Sequence, residues 1–495
     1  MDCEVVVVGG GIGGLTVAAL LAQRGVDVCL LEREPNVGGC AASVEKFGYS
    51  FEPGYGLFTG WEPDGIHQRV FSELPVDPPE VRRLEPSYLV RLPDHSEIAL
   101  VGDREQFEQT LRRTFPECAE QAVGFYRKLE SIGGALRRAL RKEPALLSVS
   151  KSRRAYSLLP EARIAAEILR SSKQSTLERL DTVSMRFRRF VDVQLQMLAQ
   201  APSNDVPYLH AALALTQPRE NMFAIRGGAA GLADKLAQSI KLSGGRIRLD
   251  TPVLRLSYDS NGAAVGVDLL SGETVTARAV VSNLTVWDTY GKLVGLNRTP
   301  AEVRKQLNKL RGWGAYFLYL ALDDTANDSL AADHVLALTD WQGEEPYNAE
   351  SDQLMFAAAP SWDVRAPAGK RAVTVHAFTD VDEWFTFHKD ETELEDKDQQ
   401  MLEGCWQRLH AAMPELGSHI EVIDTATPRS SYDLTRRKLG MVGGVVPTPG
   451  DFWLDGSSYE TTVPDLFVVS DTTSRGGIEG LTRSAFLLAN KLTAR

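Results

Sequence analysis

Long apolar runs are missing from this 495-residue chain: no stretch approaches the roughly 18 consecutive residues that crossing a bilayer requires, so no membrane-spanning helix is expected. Cysteine is scarce as well. The five cysteines, Cys3, Cys29, Cys40, Cys118 and Cys405, show no CxxC or CxxH spacing, which argues against a metal centre and against a disulfide framework. They read as reduced thiols in a reducing compartment. The eight histidines are dispersed, and no Ser-His-Asp arrangement or metal-ligand spacing forms around them. Positive charge is also in deficit. With 54 Lys and Arg against 66 Asp and Glu the net charge is −12, which argues against nucleic acid as a partner. The first strand opens by residue 4, so no signal peptide is expected, and a cytoplasmic location, at most peripheral to a membrane, follows.

The charge deficit is uneven. From Arg127 to Arg189 there are sixteen Lys or Arg against six Asp or Glu, so a strongly basic stretch sits inside an acidic chain. Its clusters RRALRK (137–142), KSRR (151–154) and RFRR (186–189) alternate with apolar patches at 145–149 and 164–169. Two readings stay open. One is a solvated helical surface; the other is a basic amphipathic face on an anionic membrane, where each basic side chain contributes about 1 kcal/mol.

What is present is most informative between Glu4 and Val17, EVVVVGGGIGGLTV. Four valines bounded by glycines read as a buried parallel strand, and Gly9, Gly11 and Gly14 form GxGxxG at the mouth of a helix starting near Leu15. The first glycine permits a tight turn, the second a close approach of backbone to phosphate, the third close packing of helix on strand. The helix start supplies unpaired N–H groups and a positive dipole end. Glu32, ending a second strand over 26–31, is placed to accept hydrogen bonds from a ribose diol. An acid there disfavours a 2′-phosphate, so the motif points to FAD or NAD over NADP.

Further along, Gly38 and Gly39 make a second close-approach loop, and 47–51 is expected to be a short strand leading to Gly54 and Gly56. Helical periodicity dominates 61–225, with runs at 104–114, 117–140, 161–169 and 182–199. Residues 223–290 return to glycine turns, a helix and strands, with a strand over 247–253 bringing Val253 beside an adenine. Strands at 315–322 and 373–378 and a helix at 396–413 follow, among aromatics read mainly as core, a minority as cavity lining. Finally, a strand over 466–470 ends at Asp471, and a glycine turn opens a helix over 481–492. The expected organisation is a discontinuous nucleotide domain (1–60, 223–295, 426–495), a helical, substrate- and membrane-facing insert (61–222) and a substrate-binding domain (296–425).

GGGIGG at 9–14, Glu32, GGCAAS at 38–43, GYSFEPG at 48–54, RGGAAGLADKLA at 226–237, DTPV at 250–253, VVSN at 280–283, the segment 427–452 and LFVVSD with GGIEG near the end resemble the phytoene desaturase and carotenoid isomerase branch of the amine oxidase-like flavoproteins. The resemblance implies an α/β fold: a Rossmann-like FAD-binding domain interleaved with a mixed-sheet substrate domain and the helical insert. It also implies non-covalent FAD. Gly9, Gly11, Ile12, Gly13 and Gly14 would lie at its pyrophosphate, Glu32 and Arg33 at the adenosine ribose, and Gly38, Gly39, Cys40 and Ser43 along the phosphates. Gly54 and Tyr55 would line the ligand, with Val253 at adenine and Asp471, Gly477, Ile478 and Glu479 near ribityl and ring. Three departures stand out: Ser470 replaces a usual glycine, SRGGIEG replaces a proline-glycine loop, and Cys40 stands where many relatives carry a basic residue.

The implied chemistry is hydride exchange between flavin N5 and an apolar polyene or polyprenoid, giving desaturation, saturation or cis/trans isomerisation. No second GxGxxG follows a strand, so there is no separate NAD(P)H domain, and a desaturase would return its electrons to a quinone or oxygen. Glu479 and Arg475 are the ionisable candidates in the terminal loop, and no metal is expected. An amine or amino-acid oxidase on the same scaffold is the alternative; a non-enzymatic prenyl-binding escort is the third, disfavoured by Glu32 and Asp471.

Overall fold

The computed structural model describes residues 1–146, 162–171, 174–341, 346–386, 391–447 and 459–494. KSRR (151–154) and the end of the segment 427–452 lie outside them. Val5–Val8 (β1) is wholly buried, as β-branched residues in a two-sided parallel strand should be. Ile12–Gln23 (α1) and Val28–Leu31 (β2) complete the first crossover. Five parallel strands then line up in the order Leu466–Val468, Ala279–Ser282, β1, β2, Arg246–Arg248. The chain order reverses between β1 and Ala279–Ser282, and ligands of open α/β sheets bind outside the carboxyl ends of the strands at such a switch point.

A seven-stranded mixed sheet forms the second layer, in the order Ile420–Ala426, Gly314–Asp323, Lys370–Thr379, Gln353–Ala358, His334–Leu338, Leu89–Arg91, Glu97–Ala99. Helices Ala119–Lys142, Met185–Ala199 and Tyr208–Ala214 pack on it through one apolar core that includes Tyr88, Val90, Leu336 and Met355. Tyr316, Trp384, Phe317 and Tyr319 all belong to the core, and Phe317 and Tyr319 also line the cavity described below. No described helix is long and apolar enough to cross a membrane.

Several elements differ from expectation. The 61–222 segment is not only helical: Val81–Arg83, Leu89–Arg91 and Glu97–Ala99 are strands, each too short to show an alternating pattern. The strand expected over 247–253 stops at Arg248, because Asp250 takes a left-handed conformation (φ 50°), and Val253 instead begins an antiparallel three-stranded sheet. Phe47, with φ 49°, lies in the turn of a hairpin between Val44–Lys46 and Tyr49–Phe51. The helix expected from 182 begins at Met185 because the Ser184 hydroxyl caps it by accepting the Phe187 N–H.

Candidate functional site

A cavity of about 1850 Å3 opens where β1, β2, Ala279–Ser282 and Leu466–Val468 end. Ligand pockets usually occupy roughly 300–1,000 Å3, so this volume leaves room for two ligands side by side. One end is built from backbone and carboxylates. Gly38 N–H donates to Gly10 O at 2.8 Å, and Gly11 and Gly38 form a parallel bridge, so the two glycine loops adjoin at the start of α1. The Glu32 carboxylate is buried and fixed: Oε2 accepts the Gly10 N–H at 2.6 Å and Oε1 the Glu34 N–H at 2.9 Å. The Thr251 N–H donates to Glu32 O at 2.8 Å, which brings Val253 to the rim of the same cavity.

Gly9, Gly11, Ile12, Glu32, Arg33, Gly38, Gly39, Cys40, Gly54, Tyr55, Val253, Asp471, Arg475, Gly477, Ile478 and Glu479 all line the cavity. Gly13, Gly14 and Ser43 do not: the two glycines lie inside α1, under the loop. Ser470 is accommodated by a polar turn, its hydroxyl donating to Asp471 Oδ1 at 3.1 Å and sharing a hydrogen bond with Thr472 Oγ1.

Glu479 lies in the first turn of the helix Gly477–Thr493. Burial pushes its carboxyl up, but Arg483 and the bonds from Thr59 and Gln217 outweigh burial and hold it below the ordinary carboxylate range. Gln217 Nε2 donates to it at 2.7 Å, and Arg483 pairs with the other oxygen.

Two contributors were not visible from motif spacing. Asn283, following Ala279–Ser282, donates Nδ2–H to Val469 O at 2.6 Å and fills the floor beneath the glycines; a Cβ on Gly11 would lie 2.6 Å from its Oδ1. Arg437 reaches Asp471 Oδ2 with Nη1 at 2.8 Å. Burial alone would lower the Arg437 pKa, but the Asp471 carboxylate beside it outweighs burial and raises it, so the guanidinium stays charged.

Among the described residues of the basic stretch, Arg137 and Arg189 are buried, whereas Arg127, Lys128, Arg138, Lys142 and Arg170 are exposed. Arg137 is buried, donating to Thr216 Oγ1 at 2.7 Å and to Glu220, so it cannot face a membrane as expected. Arg127 pairs with Glu108, Arg141 with Glu62, Arg179 with Glu167 and Arg186 with Asp94.

Burial holds three histidines neutral: His67 and His334 are pushed down to about 4 and His376 to about 3. Below the unfolded value of about 6.5, the unfolded chain takes up protons that these folded imidazoles refuse. Stability is therefore complete above that pH and falls as pH drops, by up to about 1.4 kcal/mol per unit for each histidine. Thermal midpoints measured between pH 6.5 and 5, above the carboxylate range, should fall steadily; a flat profile would show that the imidazoles are accessible to protons.

A family model, flavin containing amine oxidoreductase, matches residues 12–493. The chain belongs to this family. Among relatives of this flavoprotein, a chloroplastic prolycopene isomerase of Arabidopsis thaliana is 25% identical, covering 99% of this chain and 82% of the relative. An all-trans-retinol 13,14-reductase of Danio rerio is 25% identical over 90% of this chain and 77% of its own length. A phytoene desaturase of Fusarium fujikuroi is 27% identical over 59% of this chain and 50% of its own. In fold, the flavoprotein matches a putrescine oxidase variant with a TM-score of 0.68 at 13% identity, covering 100% and 99% of the two chains. An oxidoreductase of Methanosarcina mazei gives 0.65 at 18%, covering 98% and 100%.

The family cofactor is FAD, and the flavoprotein is an FAD-dependent oxidoreductase. The residues present fit that group. Side-chain-free glycines face the cavity at a helix N-terminus, where backbone N–H groups and the helix dipole favour phosphate, and a pinned carboxylate stands at the end of β2 for ribose hydroxyls.

Proposed function

We propose that this flavoprotein acts on an apolar polyene or polyprenoid chain, by desaturation, saturation or cis/trans isomerisation. The observation that carries the reading is the apolar share of the cavity lining. Leu57, Met197, Leu198, Leu213, Ala214 and Met222 line the same cavity as the glycine loops, whose volume of about 1850 Å3 is large enough for a long hydrocarbon beside a dinucleotide. Relatives named for prolycopene, retinol and phytoene support the same substrate class.

In this reading Gly9, Gly11 and Ile12 lie along the diphosphate, with Gly13 and Gly14 supporting them from within α1. Glu32 and Arg33 hold the adenosine ribose, Gly38, Gly39 and Cys40 flank the phosphates, and Val253 meets the adenine. Asp471 and the 477–479 turn orient the ribityl and ring end, with Gly54 and Tyr55 on the facing wall. When bound, FAD supplies two-electron chemistry, exchanging hydride with the substrate at N5. The apolar wall excludes water and positions the chain by shape, since a hydrocarbon offers no polar handle. Glu479, kept ionised by Arg483, anchors the terminal helix to Gln217, and both line the cavity. In desaturation the two electrons would pass on to a quinone or oxygen; saturation would instead draw two from a reductant, and isomerisation would consume none. Contact with an anionic membrane would rest on exposed basic residues such as Arg170 rather than on Arg137.

Product analysis tests the substrate class. Expression in a host that accumulates acyclic polyenes should change their number of double bonds or their cis/trans geometry. Unchanged polyenes, together with peroxide release on adding amines to the purified protein, would assign it to amine oxidation instead.

A further inference from the structure

We propose that Arg437 is the cation that holds the diphosphate of the cofactor, reaching the glycine loops from 397 residues away in sequence. The reasoning starts from charge. The walls around the two glycine loops bring a buried carboxylate, Glu32, and a second one, Asp471, to a site meant for a dianionic ligand. Backbone N–H groups alone would face that ligand with two fixed negative charges nearby. The second glycine loop, GGCAAS at 38–43, contributes no cation of its own.

Arg437 stands at the junction of these parts. Its Nη1 donates to Asp471 Oδ2 at 2.8 Å and approaches Cys40 Sγ at 3.7 Å, directly after Gly39 in the loop. Nε donates to Met441 O at 2.8 Å and Nη2 to Gly443 O at 2.6 Å, so the guanidinium plane is fixed and edges the cavity. Local turns place it there: Arg436 (φ 54°) ends the helix Pro428–Thr435 as a left-handed C-cap, and Leu439 (φ 53°) lies in the turn Lys438–Gly440 just beyond. Through Asp471 the same guanidinium ties the diphosphate end to the ribityl end, with a planar fork that a lysine would not reproduce.

The test is titration of apoprotein with FAD, followed by flavin fluorescence at several salt concentrations, with riboflavin as the phosphate-free probe. Arg437→Met should weaken FAD binding about tenfold or more and flatten its salt dependence, while riboflavin binding changes little. Adding Cys40→Arg to Arg437→Met returns a cation to the same loop, on a residue whose γ atom lies 3.7 Å from Arg437 Nη1, and should recover most of the FAD affinity. FAD affinity unchanged in Arg437→Met, or a loss that Cys40→Arg does not recover, would overturn the proposal. The proposal rests on the flavin reading, which would fail separately if the unaltered protein bound no FAD at all.

Discussion

Gly14→Ala should leave the protein without bound flavin and destabilise it by about 1–3 kcal/mol, the usual range for forcing an atom into a packed site. A Cβ at this position would sit 2.2 Å from Gly9 O, 3.1 Å from Asn283 Cβ and 3.2 Å from Val7 Cγ1. The first of these is a backbone oxygen in the turn between β1 and α1, so relief requires moving the loop itself. Alanine would gain up to about 1 kcal/mol of helix propensity over glycine inside α1, but the overlap with Gly9 outweighs that gain. The loop would shift away from the sheet and its N–H groups would lose their common aim. A control separates the two effects. Gly124, inside Ala119–Lys142, has no atom within 4 Å of its added Cβ, so Gly124→Ala should be neutral or stabilising by about 0.4–1 kcal/mol. Flavin content per chain and thermal midpoint read both outcomes; a Gly14→Ala protein carrying a full complement of flavin would refute the close packing.

Glu32→Ala should weaken FAD binding by roughly ten- to a hundredfold while leaving FMN binding nearly unchanged. The carboxylate is held by two backbone N–H groups, at 2.6 Å from Gly10 and 2.9 Å from Glu34. Hydrogen bonds to a charged group are worth about 1.5–3 kcal/mol each, and every 1.4 kcal/mol is tenfold in affinity. Removal costs the ribose its acceptor and frees the Gly10 N–H from its fixed direction. Because FMN lacks the adenosine half, its affinity reports only the general integrity of the loop. Glu32→Gln should fall between, keeping an oxygen acceptor without the charge. Equal losses for FAD and FMN in titrations of apoprotein would place Glu32 in loop stability rather than in ribose recognition.

Much of this arrangement is legible in the sequence because its determinants are local. The valine run reports a two-sided buried strand, the glycines report a turn against a helix, and 104–114 matches the helix Arg104–Thr114, capped by Asp103 accepting the Gln106 N–H. What could not be read depends on distant partners. Leu89–Arg91 is a strand because His334–Leu338 lies beside it, not because three residues carry a pattern. Asn283 matters through Val469 O and the glycines above it, and Arg437 through Asp471 and Cys40, contacts that no spacing rule connects. Conversely, the basic clusters from 127 onward suggest a surface, whereas Arg137 is buried against Glu220 and Thr216 by the fold. Charge density along a chain does not distinguish a cation facing solvent from one neutralised within a helical layer.

One measurement bears most directly on the claim that a single cavity seats FAD and a long apolar chain side by side. The FAD-loaded protein, oxidised or chemically reduced, is mixed without oxygen with an acyclic polyene, and the flavin absorption spectrum is recorded alongside the polyene products. The cavity predicts that a polyene perturbs the flavin spectrum and emerges altered in bond number or geometry, while putrescine and other small amines leave the spectrum unchanged. Bleaching of the oxidised flavin by amines, with no response to any polyene, would contradict it.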